Sequence, residues 1–297
     1  MNEKYFFNKF YNLSNIISSI LFLISIIFLV FKGLNYGVDF KGGTLIELRT
    51  DNVNYQTEDI RKAFSKLNLN DLSVKKFGKD NDYVIKFERS DLNKPDFIKN
   101  LKINLDKHLQ DYNFRRVENV GPKVSAELLQ DGITAIAIAL AAMLIYIWFR
   151  FEWQFSIGAI IAIFHDVIIT LGIFSALSLE INLSIVAAVL TIVGYSMNDT
   201  VVIFDRVREN LKKHADIKIF DLTNISINET LSRTLITSVT TLLALLSIFF
   251  FGGEILKGFS LAMILGVILG TYSSIFIANP VLVYYKVSQK TLVKEED

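Results

Sequence analysis

Four ionisable side chains lie inside long apolar runs of this chain: His165, Asp166, Asp199 and Arg233. An ionisable side chain within a bilayer costs about 2.5 to 3.5 kcal/mol on insertion scales, so each of the four calls for a partner or a function. Acidic residues in such positions commonly mark ion pathways, because a buried carboxyl group can be neutral in one conformation and charged in another. The chemistry that these residues predict is the uptake and release of ions within a membrane.

Asp199 belongs to a polar series in one apolar run. Thr191, Tyr195 and Asp199 recur every four residues, which predicts a polar stripe on one helix face, directed into the protein. Asn198 precedes Asp199 and is part of the same candidate site. Asp199 is therefore a candidate proton carrier, and the alternative is a static aspartate that a partner holds for assembly.

Arg233 begins a second polar face, which continues through Thr237 and Thr241. The runs that contain Asp199 and Arg233 are consecutive, so the two helices are antiparallel neighbours and the two charges have similar depth. We expect either an ion pair between them or an arginine that extends to the nearby headgroups, as arginines near helix ends often do.

His165 and Asp166 lie in the middle of a run, far from either membrane surface. One interpretation of His165 is a neutral imidazole that does no more than form a hydrogen bond between helices. Asp166 is the better functional candidate. Adjacent residues of a helix point about 100° apart, so the two side chains need not share one site.

Other kinds of chemistry have little support. The chain has no cysteine and only 3 histidines, which argues against cysteine zinc sites and thiol catalysis. Gly42 and Gly43 are not followed by the Lys-Ser or Lys-Thr of a P-loop. A net charge of +1 gives no general attraction for nucleic acid. We expect no cofactor, no metal, no nucleic-acid partner and no hydrolytic enzyme.

The elements that position these residues are membrane helices. Hydrophobic residues make up 52% of the chain and its mean hydropathy is +0.39, which favours a membrane protein over a soluble one. Six apolar runs are long enough to span a bilayer. They cover residues 14–34, 132–149, 154–176, 181–204, 231–251 and 257–284.

A charged segment separates the first two spans and has the pattern of a soluble α+β domain. The predicted elements are a strand at 44–50, a helix at 57–67, strands at 72–77 and 83–87, a helix opened by Pro95 and a strand at 113–120. This order suits a split-βαβ, ferredoxin-like sheet. The predicted fold is thus an α-helical polytopic membrane protein with six transmembrane helices and one ferredoxin-like periplasmic domain between helices 1 and 2.

The basic residues of the short loops predict the orientation of the chain. They cluster at one side of the predicted bundle, where eleven lysines and arginines from Lys4 to Lys294 face a single opposite Lys257. Both termini should be cytoplasmic and the α+β domain should lie outside. The predicted divisions are residues 1–35 (N-terminus and first helix), 36–131 (external domain), 132–285 (five-helix bundle) and 286–297 (cytoplasmic tail).

A small residue occupies every fourth position of the last span. The series is Gly258, Ala262, Gly266, Gly270, Ser274 and Ala278. It predicts close helix contact, and packing within this chain is favoured over an interface with a partner. Gly158 and Ala162 form a weaker version in the third span.

Five short motifs, in order along nearly the whole chain, resemble those of the SecF family. They are residues 37–44 (GVDFKGGT), 120–125 (VGPKVS), 194–206 (GYSMNDTVVIFDR), 233–241 (RTLITSVTT) and 251–253 (FGG). The resemblance implies an inner-membrane subunit that pairs with SecD and acts on translocating preproteins. It also implies association with the SecYEG channel, with YajC and YidC as further neighbours. It also implies half of an RND-type transporter that uses the proton gradient in late translocation, or sodium as in some relatives.

The resemblance assigns the functional aspartate to Asp199 and the functional arginine to Arg233, and it includes the pair His165 and Asp166. Two other functions remain open. Half of a small-molecule RND exporter would need a larger external domain with a ligand cleft. A purely structural assembly subunit would tolerate neutral replacement of the buried charges.

Overall fold

The computed structural model describes residues 5–51, 55–67, 69–76, 81–88, 97–214 and 216–292, with the side chains of residues 254 and 255 left aside. Four positions that the sequence predictions used lie outside these ranges. They are Lys4, Phe77, Pro95 and Lys294.

Six long apolar helices run through the described part of the chain, each long enough to cross a membrane. Their cores are α1 (Tyr11–Phe31), α5 (Pro122–Arg150), α6 (Trp153–Ala176), α7 (Leu183–Lys213), α8 (Ile219–Phe251) and α9 (Glu254–Ser273). A 3₁₀ turn, Phe7–Phe10, precedes α1, while α9 continues through a π turn, Ser274–Ala278, into α10 (Asn279–Tyr284). A short α11 (Gln289–Leu292) follows. The six predicted spans are confirmed.

Three of these helices are longer than their apolar runs. Helix α5 begins ten residues before the predicted span, α7 ends nine residues after it and α8 begins twelve residues before it. Hydropathy marks only the part that lipid can surround, whereas the backbone hydrogen bonds of a helix continue into polar turns. Pro122 at the first turn favours the early start of α5, because its missing N–H would have no helical partner there.

Ion pairs hold the polar extensions together at one end of the bundle. Arg150 pairs with Asp205 at 2.9 Å, and Arg208 pairs with Glu152 at 3.1 Å. Arg206 contacts Glu229 on α8 at 2.8 Å. The same end receives the N-terminal segment, whose backbone at Tyr5 and Phe7 bonds to the side chains of two asparagines of α8, Asn224 and Asn228.

Helices α6, α7 and α9 form the centre of the bundle, and α1, α5 and α8 lie around it. In their most apolar windows, 61% of α6 is buried within the chain but only 11% of α5. The central helices carry the two buried carboxyl groups of the bundle, Asp166 and Asp199. Much of the outer helices' apolar surface is left for lipid or for a partner.

The irregularity at the end of α9 has an identifiable cause. Pro280 has no N–H and its ring would meet the carbonyl of residue 276 in a regular α-helix. The π turn accommodates the proline ring, and the Asn279 side-chain amide donates a hydrogen bond to the carbonyl of Ser274 at 2.7 Å. Such single π turns relieve a local mismatch and are frequent at functional sites.

The segment between α1 and α5 folds around one antiparallel sheet. Its elements are β2 (Gly43–Thr50), α3 (Thr57–Ser65), β3 (Asn70–Lys76), β4 (Asp82–Glu88), α4 (Phe97–Leu105) and β5 (Tyr112–Val120). The strand order across the sheet is β3-β4-β2-β5. Predicted and observed elements follow in the same order, with ends that differ by one or two residues where the structure describes them.

Both helices of this segment cover one face of the sheet. Ile60 and Phe64 of α3 and Leu101 and Leu105 of α4 are buried in one cluster with the inward residues of the strands, such as Ile46. The other face carries charged side chains. Arg49 donates two hydrogen bonds of 2.6 Å to Asp82, and these bonds raise the pKa of the Arg49 guanidinium.

A short connection joins the sheet to the bundle. Strand β1 (Asn35–Tyr36) pairs in parallel with β6 (Glu180–Ile181), which lies in the loop between α6 and α7. A four-residue helix, α2 (Val38–Lys41), follows and buries Phe40 among residues of α7 and α9. Lys86 of β4 forms an ion pair with Glu180. The charged domain is thereby seated on the membrane helices.

Candidate functional site

Asp166 is the most enclosed charged residue of the candidate site, with 0% of its surface exposed. Its Oδ2 accepts hydrogen bonds from Ser196 of α7 at 2.6 Å and from Ser273 of α9 at 2.7 Å. Its Oδ1 lies 2.9 Å from Nδ1 of His165. One carboxyl group therefore connects the three central helices, and hydroxyls replace the water that it loses on burial.

His165 shares this site with Asp166, although adjacent helical residues point in different directions. The two side chains meet through Nδ1 of the imidazole and Oδ1 of the carboxyl group. Its ring stacks on Tyr272 with the centroids 6.2 Å apart. His165 is 5% exposed and its Nε2 is buried without a hydrogen-bond partner in the described structure. A buried imidazole nitrogen needs a hydrogen-bond acceptor when it is protonated and a donor when it is not. Among the described residues, Nε2 has neither.

Asp199 lies on α7 and is 3% exposed. The hydrogen bond that it accepts is a long one, 3.5 Å from the Thr271 hydroxyl to Oδ2. Thr271 also forms a hydrogen bond of 2.7 Å with Ser238 of α8. Asp199 is thus less completely satisfied than Asp166, although it is nearly as deeply buried.

Arg233 does not contact Asp199 in this structure. The guanidinium is exposed, forms no ion pair with the carboxyl group within 4.0 Å, and acts on it only as a charge at a distance. Thr237 and Thr241, which follow Arg233 along α8, donate to carbonyls of their own helix. The predicted countercharge is therefore near the site but not part of its hydrogen-bond network.

The predicted polar stripe of α7 does not face the bundle along its whole length. Asp199 is buried, Tyr195 is half-buried and Thr191 is exposed, as is Asn198. Four residues turn a helix by about 400°, so each step of four moves the side chain about 40° around the axis. Over two such steps the series turns from the interior to the surface of the chain.

Five contacting residues were missed by the sequence analysis. They are Ser196, Ser238, Thr271, Tyr272 and Ser273. Serine and threonine usually satisfy their hydroxyls on their own helix, so their type alone carries little signal. Ser196 could have been noticed, because it lies on the same helix as Asp199 and three residues before it.

The small-residue series of α9 packs on α7 within this chain. A Cβ on Gly266 would overlap the side chain of Ile192, and one on Gly270 would lie 3.1 Å from Cα of Ser196. Gly258 approaches Ile185 in the same way, and Ala262 is fully buried. Close approach of these two backbones brings Ser273 and Ser196 to the same carboxyl group.

Gly158 of α6 serves a similar purpose at the π turn. A Cβ at that position would lie 2.8 Å from the carbonyl of Ala278.

Within the parts of the chain that the structure describes, no three His, Asp or Glu side chains form a group that could hold a metal ion.

Sequence comparisons relate the chain to protein export components. Residues 100–288 match the family described as protein export membrane protein SecD/SecF, C-terminal, and residues 27–52 match the SecD/SecF GG motif. A protein translocase subunit SecF from Rickettsia bellii (strain OSU 85-389) is 45% identical over 94% of this chain and 92% of the relative. One from Haemophilus influenzae is 44% identical over 92% of this chain and 83% of the relative.

Solved structures show the same relation. The crystal structure of SecDF from Thermus thermophilus, a translocon-associated membrane protein, is 34% identical and has a TM-score of 0.85 over 95% of this chain. SecDF in a super-membrane-facing form, also 34% identical, has a TM-score of 0.67 over 93% of this chain. The chain spans 38% of the length of each of these SecDF chains. It is an integral membrane protein and belongs to the SecF family of protein translocase subunits.

Proposed function

We propose that this chain is one half of an RND-like complex in the bacterial inner membrane, in which SecD supplies the other half and the proton motive force drives late steps of preprotein export. Family membership supports the export function. The SecDF structures support a two-part complex, because this chain matches 38% of the length of a SecDF chain and the relatives that it matches over most of their length are SecF subunits. The SecYEG channel, with YajC and YidC, is the expected surrounding of such a complex.

The observation that carries the proposal is the pair of buried carboxyl groups, Asp166 and Asp199, in the central helices. A side chain that costs about 2.5 to 3.5 kcal/mol to insert is difficult to account for by packing alone. Asp166 has three polar neighbours, whereas Asp199 has one long hydrogen bond. The better satisfied group suits a constant charge state, and the less satisfied one suits a group that changes state.

In the proposed mechanism Asp199 is protonated in one conformation and ionised in another, with Arg233 as the countercharge of the ionised state. The separation of Arg233 from Asp199 in this structure corresponds to the first of these conformations. A rearrangement that brings the guanidinium inward would favour the charged carboxylate. Protonation would thereby change the relative stability of two helix arrangements, which is a population shift.

The exposed polar groups of the bundle support a partner within the membrane. Arg233 and Asn198 are exposed in spans that lipid would otherwise surround. Lipid tails offer no hydrogen bonds, so such groups are usually covered by another helix. We assign SecD to this position, where it would also complete the surroundings of Asp199.

The α+β segment is proposed to be a ferredoxin-like domain in the periplasm. Its strand order, β3-β4-β2-β5 with two helices on one face, supports the fold. The orientation is supported by the basic residues at the opposite end of the bundle, including Arg150, Arg206 and Arg208. Both termini would then be cytoplasmic.

The decisive experiment measures preprotein import into inverted inner-membrane vesicles, with and without an imposed proton gradient. Asp199→Asn keeps the size and hydrogen bonding of the residue but cannot titrate. We expect it to abolish the stimulation by the gradient while the complex with SecD still assembles. Asp131→Asn is the matched control, because Asp131 is exposed at the outer part of α5 and should leave the stimulation unchanged.

Normal stimulation by a correctly assembled Asp199→Asn complex would reject Asp199 as the carrier and leave Asp166 as the next candidate. The same vesicles identify the coupling ion. A sodium gradient without a proton gradient should give no stimulation if protons are the coupling ion. A purely structural subunit would tolerate neutral replacement at both aspartates.

A further inference from the structure

Three consecutive residues of α9 contact His165, Asp166 and Asp199. Thr271 contacts Asp199 and Ser238, Tyr272 stacks on His165 and bonds to α1 at Ser14 and Ser18, and Ser273 contacts Asp166. These contacts reach α1, α6, α7 and α8. A single stretch of 271–273 thus connects both carboxyl groups with four neighbouring helices.

The geometry of a helix explains how one stretch can do this. Successive side chains point about 100° apart, so three of them span about 200°, a little more than half of the circumference of the helix. Three such side chains can all make contacts only if neighbouring helices lie on more than one side of that turn. Helix α9 meets this condition, since Ser273 is fully buried and Gly266 and Gly270 draw the helix against α7.

The turn that follows this stretch is irregular. Residues 274–278 form the π turn, and the fully buried Asn279 donates to Ser274 but leaves its own Oδ1 without a partner in the described structure. A π turn interrupts the regular hydrogen-bond ladder, and such interruptions are where helices bend. The contacts to both carboxyl groups therefore lie next to the one place in α9 and α10 where the helix departs from α geometry.

We infer that Thr271 and Ser273 are positioning residues that couple the two buried carboxyl groups, so that a change at Asp199 is transmitted through one turn of α9 to Asp166. The Thr271 hydroxyl holds Asp199 and the Ser273 hydroxyl holds Asp166. Because the two residues belong to the same turn, a displacement of that turn moves both hydroxyls. This inference rests on the proposed function, in which Asp199 changes its protonation state.

Labelling with a hydrophobic carbodiimide tests the coupling without an export assay. Dicyclohexylcarbodiimide modifies protonated carboxyl groups in apolar surroundings, and peptide mass spectrometry gives the extent at each aspartate of the purified complex with SecD. We expect Thr271→Val to raise the labelling of Asp199 about fivefold, the size of one hydrogen bond's net contribution, because valine keeps the shape of threonine but donates no hydrogen bond to the Asp199 carboxylate. Ser273→Ala should do the same at Asp166.

The coupling itself appears in a combined variant. Asp199→Asn should change the labelling of Asp166 about fivefold, and Thr271→Val should remove this dependence, whereas Thr271→Ser, which keeps the hydroxyl, should retain it. Ser260→Ala is the matched control, because Ser260 is a fully buried serine of α9 that bonds only to carbonyls of its own helix. It should leave both aspartates unchanged.

The outcomes separate this inference from the proposed function. If Asp199→Asn abolishes gradient-stimulated export while Thr271→Val and Ser273→Ala label as Ser260→Ala does, the proposed function stands and the positioning inference is overturned. If the hydroxyl variants alter labelling as expected but Asp199→Asn exports normally, the positioning holds and Asp199 is not the carrier. Equal effects of Thr271→Val and Thr271→Ser would also reject a contribution of the hydroxyl.

Discussion

A carboxyl group in the interior of a membrane protein is stable only where other polar groups replace the water around it. Asp166 meets this condition with two serine hydroxyls and an imidazole, and Asp199 meets it only partly through Thr271. The difference arises from neighbours on other helices, not from the aspartates themselves. Two identical side chains can therefore serve as a fixed anchor and as a group that changes state.

Substitution of Arg233 on α8 is the most direct test of the proposed countercharge to Asp199. Arg233→Lys keeps the positive charge but loses the planar fork, so we expect gradient-stimulated export to fall by about tenfold. Arg233→Gln removes the charge and should abolish the stimulation. Both variants are measured in the inverted-vesicle assay, after the amount of complex with SecD has been matched.

The exposed position of Arg233 in this structure makes the lysine variant informative. An arginine that only extends to the headgroups would be replaced by lysine without loss. Full activity of Arg233→Gln would exclude a countercharge function altogether, and full activity of Arg233→Lys alone would exclude bidentate pairing.

The contact between α7 and α9 is the structural basis of the site at the scale of whole helices. It depends on the absence of a side chain at Gly266, where Ile192 occupies the space that a Cβ would need. Isoleucine is branched at Cβ and has little rotamer freedom on a helix, so it cannot easily make room. The spacing between the two helices, and with it the reach of Ser273 to Asp166, is set by glycine.

Gly266→Val should therefore destabilise the protein. Overpacking in a close contact costs about 1 to 3 kcal/mol. We expect a lower unfolding temperature in detergent, measured by the fluorescence of the 2 tryptophans of the chain. Gly194→Val is the control, because an added Cβ at Gly194 meets nothing within 4 Å in this chain. An equal loss of stability in both variants would reject the packing explanation, and helix propensity would not account for it, because valine favours a helix more than glycine does.

The sequence predicted the helices well because their signal is local. Each span needs about 20 apolar residues, and each of the six runs supplies them. The strand and helix order of the α+β segment was also predictable, because alternation in β2 and the amphipathic pattern of α3 are visible in short windows. The end of α7 and the start of α8 were less predictable, since an ion pair between Arg206 and Glu229 joins their polar turns. The early start of α5 lies at Pro122, beyond the apolar run.

The candidate site was predictable in its charges but not in its contacts. Rare residue types within apolar runs identify Asp166 and Asp199 directly. The hydroxyls that hold them come from residues 30 to 107 positions away along the chain, and common residue types at such separations carry no pattern. The inward direction expected for Thr191 was wrong, because a spacing of four residues does not match 3.6 residues per turn.

The contacts between the charged domain and the helix bundle determine how a movement of the helices could be transmitted out of the membrane. Strand β1 pairs with β6 between α6 and α7, Phe40 is buried among the membrane helices, and Lys86 pairs with Glu180. The loop that contains Glu180 connects the helix of Asp166 to the helix of Asp199. A relative movement of these two helices would act directly on the sheet.

A cross-link between Lys86→Cys and Glu180→Cys should therefore block gradient-stimulated export if the domain must move relative to the bundle. The sequence has no cysteine, so the two introduced thiols are the only targets within it of a membrane-impermeant, thiol-cleavable cross-linker. The reagent is applied to intact cells, where it reaches the pair only if the domain is periplasmic, and inverted vesicles are prepared afterwards. We expect the double variant to keep its stimulation before cross-linking, to lose it afterwards, and to regain it when a reductant cleaves the linker.

The control pair Glu58→Cys and Arg61→Cys places the same linker within α3, where the two side chains form an ion pair of 2.8 Å, and it should have no effect. Full stimulation in the cross-linked junction would show that the domain and the loop between α6 and α7 move as one body, and the motion that drives export would then have to lie elsewhere, in the partner subunit.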